Sequence, residues 1–434
     1  MSSQALIYRC SRRRFTDINR LFALKQVSSN LRITISHPHG SLNSYQAAGA
    51  LSEKGWLSSY QMGVTSSGRI ARLSSHLLPG SGERLLNRQF DYIPRESQRS
   101  HLYWEAVSRM GRRLRPKGLT AQTNWYDILF CGHDWQVSRS LEKRLDAVYT
   151  YEDGAKLTFA TAAKRSIAKV YELPAGYYLG VAHELERALK TTPDMDARIK
   201  REPAWKRARK DKELELADLV IVPCEWARET LRLSGAWKKR VIKVPYGTPA
   251  GEVTARSRRP GGPFTILFAG QVGVRKGVPL LMQAWKRLGL KDARLWMAGS
   301  MNLDEKYLNS HQGFQYLGAL PRVRLLEVMA EVDLLVFPSL AEGFGLVIGE
   351  AMAAGVPVLT TTNTGGPELI TDGQEGWCVP AHDLNSLTER IEWASQNREA
   401  LYRMGMRARA RAEQWTWADY RRKLTAELSG SLGV

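Results

Sequence analysis

The chain has 434 residues, 43% hydrophobic and 24% charged, with a formal net charge of +20. That length exceeds what one ordinary core organises, so two domains are expected. The balance excludes a disordered or low-complexity protein, and no apolar run approaches the roughly 18 residues of a membrane-spanning helix. The charge is lopsided: residues 1–250 hold 42 Lys+Arg against 24 Asp+Glu, whereas residues 251–434 hold 21 against 19. A basic first half implies an anionic neighbour; with no nucleic-acid recognition motif beside it, an anionic membrane surface is the expected one. The four cysteines, Cys10, Cys131, Cys224 and Cys378, form no metal-ligand pattern and read as reduced thiols of a cytosolic protein.

In chain order, residues 1–30 read as an irregular basic leader without the apolar region of a secretory signal. LRITISHPHG (31–40) is a strand running into a loop. DAVYTYEDG (146–154), AKVYELPAG (168–176) and ADLVIVPCEWARETL (217–231) each give a β-branched or aromatic run followed by a loop. That alternation predicts βα units on a parallel sheet. KRARKDKELELADL (206–219) is a charged helix that turns amphipathic, and VIKVPYGTP (241–249) is a further strand. The polar, Pro- and Gly-punctuated stretch 251–263 is the linker. The same grammar then restarts: FTILFAG (264–270), ARLWMAG (293–299), FQYLGAL (314–320), DLLVFPS (333–339), VPVLTT (356–361) and GWCVP (376–380). Two doubly wound α/β domains, with a ligand cleft at the carboxyl ends of the strands, are the expected architecture.

One stretch carries the chemistry: AEGFGLVIGEAMAAGVPVL (341–359). A strand ends in a loop bearing Glu342, Gly343 and Gly345, and a helix is predicted from about Leu346 to Ala354. Its free N–H groups and dipole suit an anion, and Glu350 falls one turn inside. A phosphate there, flanked by carboxylates that accept hydroxyl hydrogens, suits a ligand with sugars on both sides of a diphosphate. A second βα turn, after FAG (268–270), brings Gly273, Arg275 and Lys276 ahead of a helix, two cations able to neutralise a departing diphosphate.

EGFGLVIGEAMAAGVPVLTTTNTGGPELI, together with RKG at 275–277, FPS at 337–339 and GGPE at 365–368, resembles the E-x7-E signature of the retaining GT-B glycosyltransferases of family 4, or group 1. A weaker likeness covers the chain from about residue 31. The resemblance implies a GT-B architecture: an acceptor-binding Rossmann-like domain over 31–250, a nucleotide-sugar-binding one over 264–414, and a C-terminal helix, 415–434, returning to the first domain. It implies that Glu342 contacts the donor sugar near the reacting centre and Glu350 the nucleotide ribose. Arg275 and Lys276 take the diphosphate, and the backbone of Phe344, Gly345 and Leu346 holds sugar and phosphates. Gly299 and Leu317 lie beside the base. The implied activity is metal-independent, cofactor-free transfer of a hexosyl unit from a nucleotide diphosphate sugar to a glycan or lipid-linked acceptor of the cell envelope. The setting is cytoplasmic, peripheral to the membrane.

Two departures stand out. Many relatives carry an arginine where this chain has Gln271, and many carry a histidine at the sugar's reacting face in a first-domain turn that here reads YTYEDGA. Tyr151, Glu152 and Asp153 are therefore candidates for that face, as are His37, His39 and His133. A sucrose- or trehalose-type synthase, or a nucleotide-sugar-binding module without turnover, are the alternatives. Asp194-Met195-Asp196 is formally a metal-binding DxD but lies in a polar turn rather than at a strand end, so no metal site is expected. Trp415, Trp417 and Tyr420 are expected to serve packing. The basic stretch 109–118 is the expected membrane contact.

Overall fold

The structure is a computed structural model that describes residues 31–63, 93–114, 124–192, 199, 201–234, 239–253, 261–304, 308 and 312–433. The leader, the Asp194–Asp196 motif, linker residues 254–260 and the side chains of residues 112–118 lie outside the described residues.

The first sheet joins β1 (Ile33–Ser36), β2 (Leu57–Met62), β3 (Gln98–Ser100), β4 (Ala147–Tyr151), β5 (Ala168–Glu172), β6 (Leu219–Val222) and β7 (Arg240–Lys243). Their order is β3-β2-β1-β4-β5-β6-β7, every pair parallel. The second sheet comprises β8 (Phe264–Ala269), β9 (Ala293–Ala298), β10 (Phe314–Gly318), β11 (Leu334–Phe337), β12 (Val358–Thr361) and β13 (Gly376–Val379), ordered β10-β9-β8-β11-β12-β13 and again all parallel. In each sheet the strand order reverses once, at β1/β4 and at β8/β11, and a crevice opens there at the carboxyl ends. This is the doubly wound pair of domains expected from the sequence.

Parallel strands covered on both faces need continuous apolar runs, and FTILFA, LLVF and LVIV are buried throughout. Strands β2 and β3 escape that rule and were not expected. In β2, Ser59 and Gln61 are buried because polar partners meet them: Ser59 Oγ lies 3.0 Å from Thr34 Oγ1, and Gln61 Oε1 lies 2.8 Å from His101 Nε2.

The two domains are tied twice beside the linker. Outgoing residues 245–248 run alongside Trp415 and Thr416: Thr248 N–H donates to Trp415 O at 2.9 Å, and Trp415 Nε1 to Tyr246 O at 3.1 Å. Helix Trp417–Leu432, capped by Thr416 with Asp419, then packs on Leu42–Glu53 of the first domain. Arg421 reaches Gln46 Oε1 at 2.6 Å and Glu53 Oε1 at 2.8 Å. The last helix thus returns to the first domain, with Trp417 and Tyr420 buried.

Candidate active site

β11 ends at Phe337, and the loop that follows turns into the helix Leu346–Ala353 through Gly345 at φ 80°, a left-handed conformation that favours glycine. No side chain caps this helix, so its first N–H groups face the crevice with the positive end of its dipole. Glu342 turns back toward the short turn Val274–Lys276 behind β8. Its Oε2 forms an ion pair with Lys276 Nζ and lies 3.6 Å from Arg275 Nη1. Arg275 also donates to Ala341 O at 2.8 Å, and Gly343 N–H donates to Glu342 Oε1 at 3.3 Å. Lys276 Nζ stands 5.0 Å above the Phe337 ring.

Burial pushes the Glu342 carboxyl up, but Lys276 and Arg275 outweigh it and hold the group below its usual range. Lys276 is drawn below the usual lysine range, first by burial and against the pull of Glu342. One carboxylate thus sits against two cations, and the cluster keeps a net positive charge at the start of a helix. An anionic ligand carrying its own charge would find the Lys, the Arg and the helix N–H groups already converged.

One turn into the helix, Glu350 accepts from Arg322 Nε at 3.1 Å, and Arg322 also reaches Glu252 at 3.3 Å. The ends of β8, β9 and β10 are stitched by backbone bonds: Gly270 N–H to Ala298 O at 2.9 Å, Gly299 N–H to Gly318 O at 2.8 Å. The Tyr316 hydroxyl donates to Gly299 O at 2.7 Å. Gly273, Gly299, Leu317, Phe344, Leu346 and Glu350 therefore share one edge of the second sheet with Arg275, Lys276 and Glu342.

Opposite them a cleft of about 630 Å³ extends into the first domain; its walls include Glu152, Tyr178, Leu185, Lys210, Arg275 and Glu342. Of the first-domain candidates, Glu152 alone is among the lining residues. Its carboxylate lies 3.2 Å from Lys210 Nζ, and burial pushes it up to about 7 against that attraction. Tyr151 is buried beneath, its ring 5.0 Å from His37. Asp153, at φ 70°, pairs with Lys206 at 3.0 Å. His39 packs its ring against Tyr126 and Phe130. His133 is fully buried, with Nε2 3.0 Å from Ser36 Oγ and its ring 5.3 Å from that of His101. Burial first, then His101 and His37, push its pKa well below the ordinary histidine value.

The contacts that join the domains carried no sequence signal. Gly343 packs on Pro174 and Ala175, in the turn after β5 rather than the one after β4. The Cys224 thiol, pushed up to about 12 by burial, donates to Gly343 O. Glu368 of the GGPE turn accepts Glu225 N–H at 2.9 Å and pairs with Lys243 at 3.1 Å. His382 Nε2 meets Glu184 at 2.8 Å. Among the described residues no group of three or more His, Cys, Asp or Glu is placed to hold a metal ion, and no helix is long and apolar enough to cross a membrane.

Residues 251–411 match the family model of "Glycosyl transferases group 1". The chain is 29% identical over 245 residues to a D-inositol 3-phosphate glycosyltransferase of Nocardia farcinica, covering 49% of this chain and 52% of the relative. It is 26% identical to the colanic acid biosynthesis glycosyltransferase WcaL of Salmonella typhimurium, described as putative, covering 48% and 53%. These matches span about half the length of the relatives. Among solved structures, Anabaena HepE in complex with UDP and glucose superposes with a TM-score of 0.60 at 14% identity, covering 92% of this chain and 100% of that one. Sucrose-phosphate synthase from Thermosynechococcus elongatus does so at 0.60 and 16%, covering 92% and 98%. The chain has the GT-B fold, and its residues 251–411 are similar to the glycosyl transferases group 1 family.

Proposed function

We propose that the protein transfers a hexosyl unit, with retention, from a nucleotide diphosphate sugar to a hydroxyl of a glycan or lipid-linked acceptor in envelope polysaccharide synthesis. The observation that carries the reading is the convergence of Lys276, Arg275 and Glu342 on the N-terminus of Leu346–Ala353, at the mouth of a cleft shared with the first domain. The name of one relative, a colanic acid biosynthesis glycosyltransferase, favours this acceptor class, whereas that of the D-inositol 3-phosphate glycosyltransferase names a small polyol phosphate. In this reading the diphosphate lies against Arg275, Lys276 and the helix N–H groups, which take up the charge that grows as the glycosidic bond breaks. No metal is required, because two cations already face that position. The acceptor hydroxyl approaches from the first domain past Glu152. The basic first half holds the protein at the cytoplasmic face of an anionic membrane, each nearby basic residue contributing on the order of 1 kcal/mol.

The test separates the two glutamates. Glu350→Ala should weaken UDP and UDP-sugar alike in a thermal-shift panel. Glu342→Ala should spare UDP but lower turnover about a hundredfold or more, as for a contact strengthened in the transition state. Equal effects of both changes on UDP affinity would reject the assignment.

A further inference from the structure

Glu172 closes β5 and is 0% exposed, yet among the described residues its carboxylate has no cationic partner. Three neutral donors share it. The Tyr149 hydroxyl donates to Oε2; the Tyr246 hydroxyl and Asn43 Nδ2, the latter at 3.2 Å, donate to Oε1. Asn43 also lies 3.0 Å from the Tyr246 hydroxyl. These donors come from β4, from the helix Leu42–Glu53 and from the segment that leaves the first domain. A buried carboxylate is costly unless its lone pairs are met, so this arrangement fixes four parts of the chain against one another.

Tyr246 is the informative member. Its ring lies 5.3 Å from Phe344, 6.0 Å from Trp417 and 5.8 Å from Tyr420. Phe344 is buried and belongs to the loop that carries Glu342; Gly365 N–H also ties its carbonyl at 2.7 Å. The residues just after Glu172, Pro174 and Ala175, touch Gly343 of the same loop. From one strand end, Glu172 thus reaches the loop by two routes: through its side chain and Tyr246 to Phe344, and through its own chain to Gly343.

We infer that Glu172 is a positioning residue of the donor site, whose carboxylate orients Tyr246 and thereby sets the 342–345 loop against the first domain. The kinetic consequence rests on the transferase reading above; the conformational one does not. Tyr246→Phe removes one hydroxyl and keeps the ring. It should speed amide hydrogen exchange across residues 340–348 by about tenfold or more, because the loop then opens more often. If UDP-glucose is a donor, its slow hydrolysis should lose about tenfold in kcat with KM held within about twofold, since alignment rather than binding is impaired. Glu172→Gln should act in the same direction. Val137→Ala, buried on the helix Trp125–Ser140, which packs against the helices Leu102–Leu114 and Lys156–Lys164, serves as a control of comparable destabilisation.

Faster exchange at 340–348 in Tyr246→Phe and not in Val137→Ala supports the inference. Unchanged exchange there, or an equal change in both variants, overturns it. A wild type that neither binds nor hydrolyses any UDP-sugar removes the transferase reading, and the exchange comparison still decides this one.

Discussion

Gly343 of the second domain lies so close to Pro174 of the first that a β-carbon on Gly343 would collide with the Pro174 carbonyl and come within 2.7 Å of Ala175 Cα. The contact is backbone against backbone, so no side-chain rotation relieves a substitution. Gly343→Ala should cost about 1–3 kcal/mol of stability, the range for overpacking, and part the domains at this point. Small-angle scattering should show a larger radius of gyration, while, if the proposed donor site binds UDP at Glu350, UDP affinity stays within about twofold because that residue is elsewhere on the sheet edge. An unchanged scattering curve with unchanged stability would show that the contact does not hold the domains.

Lys276 and Glu342 test whether the ion pair serves stability or chemistry. Removing Lys276 leaves the buried Glu342 with Arg275 alone as a cationic partner, 3.6 Å away, so Lys276→Met should destabilise by about 1–3 kcal/mol. Adding Glu342→Gln should recover most of that loss. Neither variant should turn over a UDP-sugar, and magnesium should restore neither; wild-type activity should survive EDTA. Recovered activity in the stable double variant would refute a role for these charges in the reaction.

Glu152 lines the cleft with Arg275 and Glu342. Glu152→Gln keeps the shape and leaves Lys210 paired with Glu202 at 2.6 Å. It should lower slow donor hydrolysis by about tenfold or more while leaving donor affinity nearly intact, the pattern of a group that acts on the reacting face. Donor hydrolysis at the wild-type rate would exclude it from that face.

His133 gives a pH dependence. Its pKa is depressed in the native state, so below the ordinary value of 6.5 the unfolded chain takes up a proton that the native state refuses. Stability therefore falls as pH drops below 6.5, by about 1.4 kcal/mol per pH unit for this group. Glu152 and Glu213, raised to about 7 and about 8 by burial, act in the opposite sense, so the readout is a difference. His133→Asn carries the same glutamates without this histidine, and denaturant titrations from about pH 6.5 to 5 should give it the shallower loss. Parallel curves for the two proteins would mean that His133 takes up its proton equally in the native and unfolded states.

Much of this protein is readable from its residues alone. Strands such as FTILFA and LLVF announce themselves because parallel strands buried on both faces must be apolar throughout. The grouping at one end of the second sheet is equally legible, since a glycine-bearing loop, a helix start, two cations and two glutamates follow β8 and β11, neighbouring strands of one sheet, where local sequence fixes local geometry.

Tertiary structure alone decided the rest. β2 is hidden because Ser59 and Gln61 are buried against polar partners supplied by Thr34 and His101, which no hydrophobic pattern records. YTYEDGA and YELPAG follow adjacent strands and are equally turn-like. Only the domain packing sets Pro174 against Gly343 and Glu152 in the cleft wall, and leaves Tyr151 and His133 in the interior. Glu172 and Tyr246 belong to no motif; a carboxylate 0% exposed persists there because three donors from separate parts of the chain meet it at once, a condition that exists only once the first domain has folded.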